Sequence, residues 1–225
     1  MTTDANTPFL HIVGTNHVAA NSTTEITRAF AEHDPDAVAI ELDTARLQQL
    51  RHGDRDAPSY KLISQIGLTG YVFARTAHFL QRRIGEHVGV MPGEEMLHAA
   101  DLAKDHAKPL HLIDQPMQTT LKTLSDTLGF KEKMRMVWDV IRAPFTAPPV
   151  DIDATQIPDK ETIQSIVSHI KTRYPGIHKA IIADRDAHMA SRIASLLNDG
   201  NNVLAVVGAA HKPGIQARLP DYNHV

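Results

Sequence analysis

The chain has 225 residues, 42% of them hydrophobic and 22% charged, with a formal net charge of −3 and no cysteine. That length fits one large domain with a sizeable core, and the composition is ordinary for a globular protein. The slightly acidic balance argues against a nucleic-acid footprint, and the missing cysteines exclude disulfides and thiolate metal sites.

Residues 1–14 lack a basic segment followed by a long apolar one, so no signal peptide is expected. Phe9–Val13 is the first predicted strand, and it runs into Gly14-x-x-His17. Asn21 or Ser22 then caps a helix whose apolar side includes Ile26, Ala29 and Phe30, and which stops before Pro35. Ala37–Glu41 is the second strand. Residues 61–85 show a broad apolar helical face through Ile63, Ile66, Val72, Phe73 and Leu80, too interrupted by polar residues to span a bilayer. A further helix starts after Gly93 and ends before Pro109, where Leu110–Ile113 forms the third strand. The pattern from Gln118 to Arg142 is helical with a break at Gly129. "APFTAPPVDIDATQIP" reads as a surface linker, and helices follow over Asp159–Arg173 and Ile177–Asn198. Val203–Val207 is the fourth strand, ending in Gly208-x-x-His211.

None of the four strands alternates cleanly, as expected of strands covered on both faces. The expectation is a single α/β domain over residues 1–225. It has a mainly parallel central sheet flanked by helices, with a helical insertion at about 116–198 before the last strand.

In open α/β sheets, ligands bind beyond the carboxyl ends of the strands. The predicted strands deliver His17, Glu41 (with Asp43 two residues on), Asp114 and His211 to that edge. Two histidines with a carboxylate form a ligand set for a divalent metal with open positions. Each residue also has an ordinary reading. The glycines suit turns, Glu41 suits a helix cap or a lysine partner, and Asp114 suits an N-cap before Gln115-Pro116. Arg185 lies on the apolar stripe of Ile181, Met189 and Ile193, where it needs a carboxylate. It either ties helix to sheet or orients a carboxylate ligand, while Asp184 and Asp186 read as solvated. Glu94 and Glu95 suit a first helical turn, with Glu95 also a candidate general base. The methionines and Trp138 read as packing.

"GTNHV", "PDAVAIELD", "PGEEM", "LHLID", "DRDAHMA" and "VLAVVGAAHKPGI" occur in an order that resembles the TraB family, which includes pheromone-shutdown and GumN-like proteins and is related to the Tiki metalloproteases. The resemblance runs from about residue 9 to 215. It implies a compact α/β fold similar to erythromycin esterase-like and ChaN-like proteins. It also implies an active centre built on His17, His211, Glu41 and Arg185, which in Tiki proteins supports divalent-metal-dependent peptide cleavage. Gln115 departs from an arginine common in relatives, and Lys212 from an uncharged residue. Microbial relatives often carry a C-terminal membrane-spanning portion, so the chain is expected to be soluble itself or membrane-associated through such a segment.

The expected function is therefore a divalent-metal-dependent hydrolase acting on a peptide substrate. His17, Glu41 and His211 would hold Mn²⁺ or Co²⁺ by resemblance, or Zn²⁺ by ligand type. Arg185 would steady the oxyanion or Glu41, with Glu95 or Asp43 as proton shuttle. A non-catalytic peptide-binding protein and an esterase are the alternatives, and a homodimer stays open.

Overall fold

The computed structural model describes residues 8–15, 19–52, 63–67, 70–72, 74–75, 93–142 and 160–225. Among these residues five strands form one sheet in the order β3-β2-β4-β1-β5, all parallel. They are β1 (Phe9–Thr15), β2 (Ala37–Ile40), β3 (Leu110–Leu112), β4 (Val203–Gly208) and β5 (Asn223–His224). β4 enters last among the long strands and lies between β1 and β2, so the two ends of the chain meet at the sheet's centre.

Alternation along the central strands explains why they read as unbroken apolar runs. Val203, Ala205 and Val207 face one way with Leu10 and Ile12. Leu204 and Val206 face the other way with Val38 and Ile40. The first layer is covered by α8 (Asp184–Asn198) through Met189, Ile193 and Leu197, and by α9 (Lys212–Gln216) through Ile215. The second is covered by α1 (Ala19–His33) through Ile26 and Phe30, and by α3 (Glu94–Asp105) through Met96 and Ala99. Burial of both faces is the condition under which parallel strands are stable.

α2 (Thr44–His52) follows β2 directly. Among the described residues the segment before β4 is helical, as expected: α4 (Met117–Thr127), α5 (Phe130–Arg142), α6 (Lys160–Arg173) and α7 (Pro175–His178). A third cluster of Leu124, Leu128 and Ala180 binds α4 to the turn after α7.

Several expectations are corrected. α1 begins at Ala19, so Asn21 and Ser22 lie in its first turn, where amide groups need no helical partner. α2 and β5 were not anticipated. The helix expected over Ile177–Asn198 is broken by a π-helical turn at Lys179–Ala183, which contains one residue too many for an α-turn. Of the helix expected over residues 61–85, residues 63–67, 70–72 and 74–75 are helical, and the linker at 143–158 lies outside the described residues.

Candidate functional site

The carboxyl ends of β2, β3 and β4 supply Glu41, whose side chain is 11% exposed, with the buried Asp114 and His211, and α8 adds Arg185 and Asp186. Glu41 is the residue after β2; its amide still bonds the Val206 carbonyl of β4, which fixes where its side chain leaves the sheet. Glu41 Oε2 accepts from the Gly208 N–H at 2.7 Å. A Cβ on Gly208 would stand 3.3 Å from that oxygen, so the glycine lets the carboxylate approach.

Arg185 is the hub. Its Nη2 donates to Glu41 Oε1 at 2.5 Å, while its Nε and Nη2 form a fork on the two oxygens of Asp114 at 2.9 and 2.7 Å. Two-pronged pairing of this kind holds a guanidinium in one orientation. Arg46 of α2 adds a longer contact of 3.4 Å to Asp114 Oδ2. Burial opposes the charge on Arg185, but Glu41 and Asp114 outweigh it and push its pKa above the ordinary arginine value. Burial likewise opposes ionisation of Glu41. The neighbouring His211 ring and the Arg185 guanidinium, with the Gly208 amide, override it and hold the carboxyl at about 2.

His211 is clamped from both sides. Its Nδ1 lies 2.6 Å from Asp186 Oδ1, and its Nε2 lies 3.1 Å from Arg185 Nη1 and 3.3 Å from Glu41 Oε1. A guanidinium only donates, so we assign Nε2 as the acceptor and place the ring proton on Nδ1, facing Asp186. Asp186 reaches the ring because residue 214 is glycine: a Cβ there would stand 1.9 Å from Asp186 Oδ2. α6 closes on the same loop, with Gln164 Nε2 donating to the Ala209 carbonyl at 2.8 Å.

The structure thus brings together Glu41, Arg185 and His211 of the expected set. His17 lies outside the described residues; β1, which precedes it, ends at Thr15 beside Gly208. Glu95 is fully buried at the start of α3, with Oε2 accepting from the Gly93 N–H at 3.2 Å, and Glu94 is exposed.

Other readings change. Asp114 is no N-cap: Pro116 holds that position before α4, without a side-chain cap, and Asp114 instead receives Arg185. Asp43 does not share a strand face with Glu41, because β2 ends at Ile40; Asp43 Oδ1 accepts the Arg46 N–H at 2.9 Å and caps α2. Gln115 turns to α4, donating to Thr120 Oγ1 at 2.9 Å. Lys212 Nζ donates to the Ile12 carbonyl at 2.6 Å, and its stem fills the space a Cβ on Gly14 would occupy. Met96 and Met189 pack in the core, whereas Met117, Met134 and Trp138 are exposed.

Asp186 is the residue that sequence reasoning missed. It is buried in line with Ala190, Ile193 and Leu197, four, seven and eleven residues on. That periodicity was the available signal.

The TraB/PrgY/gumN family model matches residues 1–221. The uncharacterized protein MJ1365 of Methanocaldococcus jannaschii is 30% identical over 208 residues, covering 92% of this chain and 52% of that protein. The TraB domain-containing protein of Homo sapiens is 25% identical over 234 residues, covering 92% of this chain and 61% of its own length. The chain therefore spans roughly half to three fifths of the length of these curated relatives. With a family model matched from the first strand to beyond the last glycine–histidine motif, the chain belongs to the TraB/PrgY/gumN family.

Proposed function

We propose that the chain is a divalent-metal-dependent hydrolase of peptide bonds, with its centre at Glu41 and His211. The observation that carries this reading is the Asp186–His211–Glu41 alignment. A carboxylate on Nδ1 fixes the tautomer that leaves the Nε2 lone pair facing a second oxygen donor, 3.3 Å away. Ligating histidines are oriented by outer carboxylates in this way.

The donor chemistry fits a cation in part. Among the described residues no group of three histidine or acidic side chains is placed to hold a metal ion. Glu41 Oε1 and His211 Nε2 are two donors of the right type, and His17 is the third expected from the sequence. Charge supports the reading as well. Two carboxylates (Glu41 and Asp114) meet the Arg185 guanidinium, the buried Asp186 meets His211, and Arg46 compensates from the rim. When bound, a divalent ion supplies a water of lowered pKa and polarises the scissile carbonyl. Mn²⁺ or Co²⁺ is favoured by family resemblance and Zn²⁺ by ligand type. Arg185 fixes Glu41 and places positive charge where an oxyanion would develop, and Asp186 keeps His211 in its tautomer.

One observation favours a second reading, a cleft that captures a peptide without cleaving it: Arg185 already holds both Glu41 and His211. Calorimetric titration with Mn²⁺, Co²⁺ and Zn²⁺, with a peptide-library cleavage assay read by mass spectrometry, separates the two. The hydrolase reading expects saturable metal binding and metal-dependent new amino termini, both lost in Glu41→Gln and His211→Gln chains that retain their circular dichroism. Peptide binding that survives chelation without cleavage would establish the second reading instead. Metal binding and turnover unchanged in both variants would remove this site from either role.

A further inference from the structure

α5 is mounted inside out. Three of its polar residues bond inward to α6 and α7: Glu132 Oε1 accepts the Gly176 N–H at 2.8 Å, and Arg135 Nη1 donates to the Arg173 carbonyl at 2.6 Å. Asp139 takes Nε and Nη2 of Arg173 at 3.0 and 2.5 Å, and also the Tyr174 hydroxyl. Residues 132, 135 and 139 follow helical spacing and mark one face. The opposite face carries Phe130, Met134 and Trp138, spaced by four, at 79%, 50% and 56% exposure. A helix on a globular protein normally buries its apolar stripe and wets its polar one. Here the Asp139–Arg173 ion pair, two hydrogen bonds to backbone groups and Met136, packed against Leu124, Leu128 and Ala180, anchor the helix, and Phe130, Met134 and Trp138 are left outward.

The charges on that outward side identify the occupant. The only two carboxylates of α5, Glu132 and Asp139, are both turned inward. Lys131 and Lys133 flank the stripe on either side by helical position, and Arg142 stacks over the Trp138 ring at 5.4 Å. A second copy of the chain seated here would set lysine against lysine with no acid from α5 to meet it. An anionic surface that also accepts apolar side chains matches both features. We propose that α5 is a peripheral docking helix for anionic lipid membranes, lying in the plane of the interface. Phe130, Met134 and Trp138 enter the boundary of the acyl chains, and the lysines meet the headgroups. The chain as a whole carries −3, so this attraction is a property of one face. No helix of the described residues is long and apolar enough to cross a membrane, so the contact lies on the surface of the bilayer.

Trp138 is the only tryptophan in the chain, so its fluorescence reports this face alone. The test adds vesicles of phosphatidylcholine, with and without phosphatidylserine, and follows emission and co-sedimentation. The expected result is a blue shift and sedimentation with the phosphatidylserine vesicles, both weakened by salt. Phe130→Ser with Met134→Ser, both at exposed positions, should weaken the partition about tenfold or more with circular dichroism unchanged. Lys131→Glu with Lys133→Glu should abolish the preference for phosphatidylserine. The proposal is overturned by no binding to either vesicle, by binding indifferent to both pairs of substitutions, or by a concentration-dependent dimer that disappears with Phe130→Ser and Met134→Ser. An emission already blue-shifted in buffer and unmoved by vesicles would also overturn it, by showing that protein covers the face.

Discussion

Gly214 has no side chain, yet it sets the chemistry of His211. Any Cβ at that position collides with Asp186 Oδ2, the carboxylate that holds the imidazole through Nδ1. Gly214→Ala should therefore push Asp186 aside, lowering stability by about 1–3 kcal/mol, the range for overpacking a filled site. It should also release the tautomer, visible as altered ¹⁵N shifts of the His211 ring. Unchanged stability with an unmoved His211 signal would show that Asp186 does not set the ring. The glycines of the two Gly-x-x-His motifs could be noticed in the sequence, but their reasons could not. Gly208 admits a glutamate oxygen and Gly14 a lysine stem, both from residues distant in the chain. Glu41, Asp114 and His211 were legible because strand ends are identifiable, and Arg185 because an arginine on an apolar stripe demands a partner. Asp186 was not, since an acidic residue beside Asp184 early in a helix satisfies the dipole with no further explanation.

At the scale of elements, α2 rests on Asp43, whose side chain caps the Arg46 amide while its carbonyl takes the Leu47 N–H at 3.0 Å. Asp43→Ala should cost about 1 kcal/mol in denaturant unfolding, and Asp43→Ser should restore most of it, as expected for a cap. A proton shuttle would behave in the opposite way: serine would lose hydrolysis as fully as alanine, with little change in stability. The four long strands and most helices were readable because a doubly covered sheet writes unbroken apolar runs between turn residues. α2 escaped because "TARLQQLRH" has only a short, weak apolar stripe, and its helicity depends on a cap whose aspartate looked like part of a strand. β5 escaped because two exposed residues carry no period. The π-turn at Lys179–Ala183 escaped because a continuous α-period was assumed through it. That extra residue lets Ala180 face the cluster of α4 while Arg185 faces the sheet edge. α5 was read as helix correctly, but Met134 and Trp138, read as packing, face outward, since pattern identifies two faces but not which one a neighbour's polar contacts will capture.

Across the whole molecule, stability should fall with acid in two separate stages. Burial is the largest cause holding His11, His111 and His178 below the ordinary histidine value of 6.5. His33 stacks on His11 with ring centroids 4.4 Å apart and adds to the effect there, and the buried His11 Nδ1 has no partner among the described residues. With folded pKa values below unfolded ones, the unfolded chain takes up protons first as pH drops under about 6.5. The stabilisation from keeping these rings neutral is complete above that pH and shrinks below it, levelling once the folded rings titrate. Glu41, held at about 2 against an ordinary 4.5, acts in a lower window. Its contribution is complete above about 4.5 and is lost as pH falls towards about 2, because the unfolded carboxyl protonates first. Urea unfolding from about pH 8 to pH 3 should therefore show one descent beginning under about pH 6.5 and a second beginning under about pH 4.5. His11→Phe should flatten part of the first descent and leave the second, and Glu41→Gln should do the reverse. A single descent that both substitutions alter equally would mean that the histidines at the flank of the sheet and the carboxylates at its edge titrate as one network.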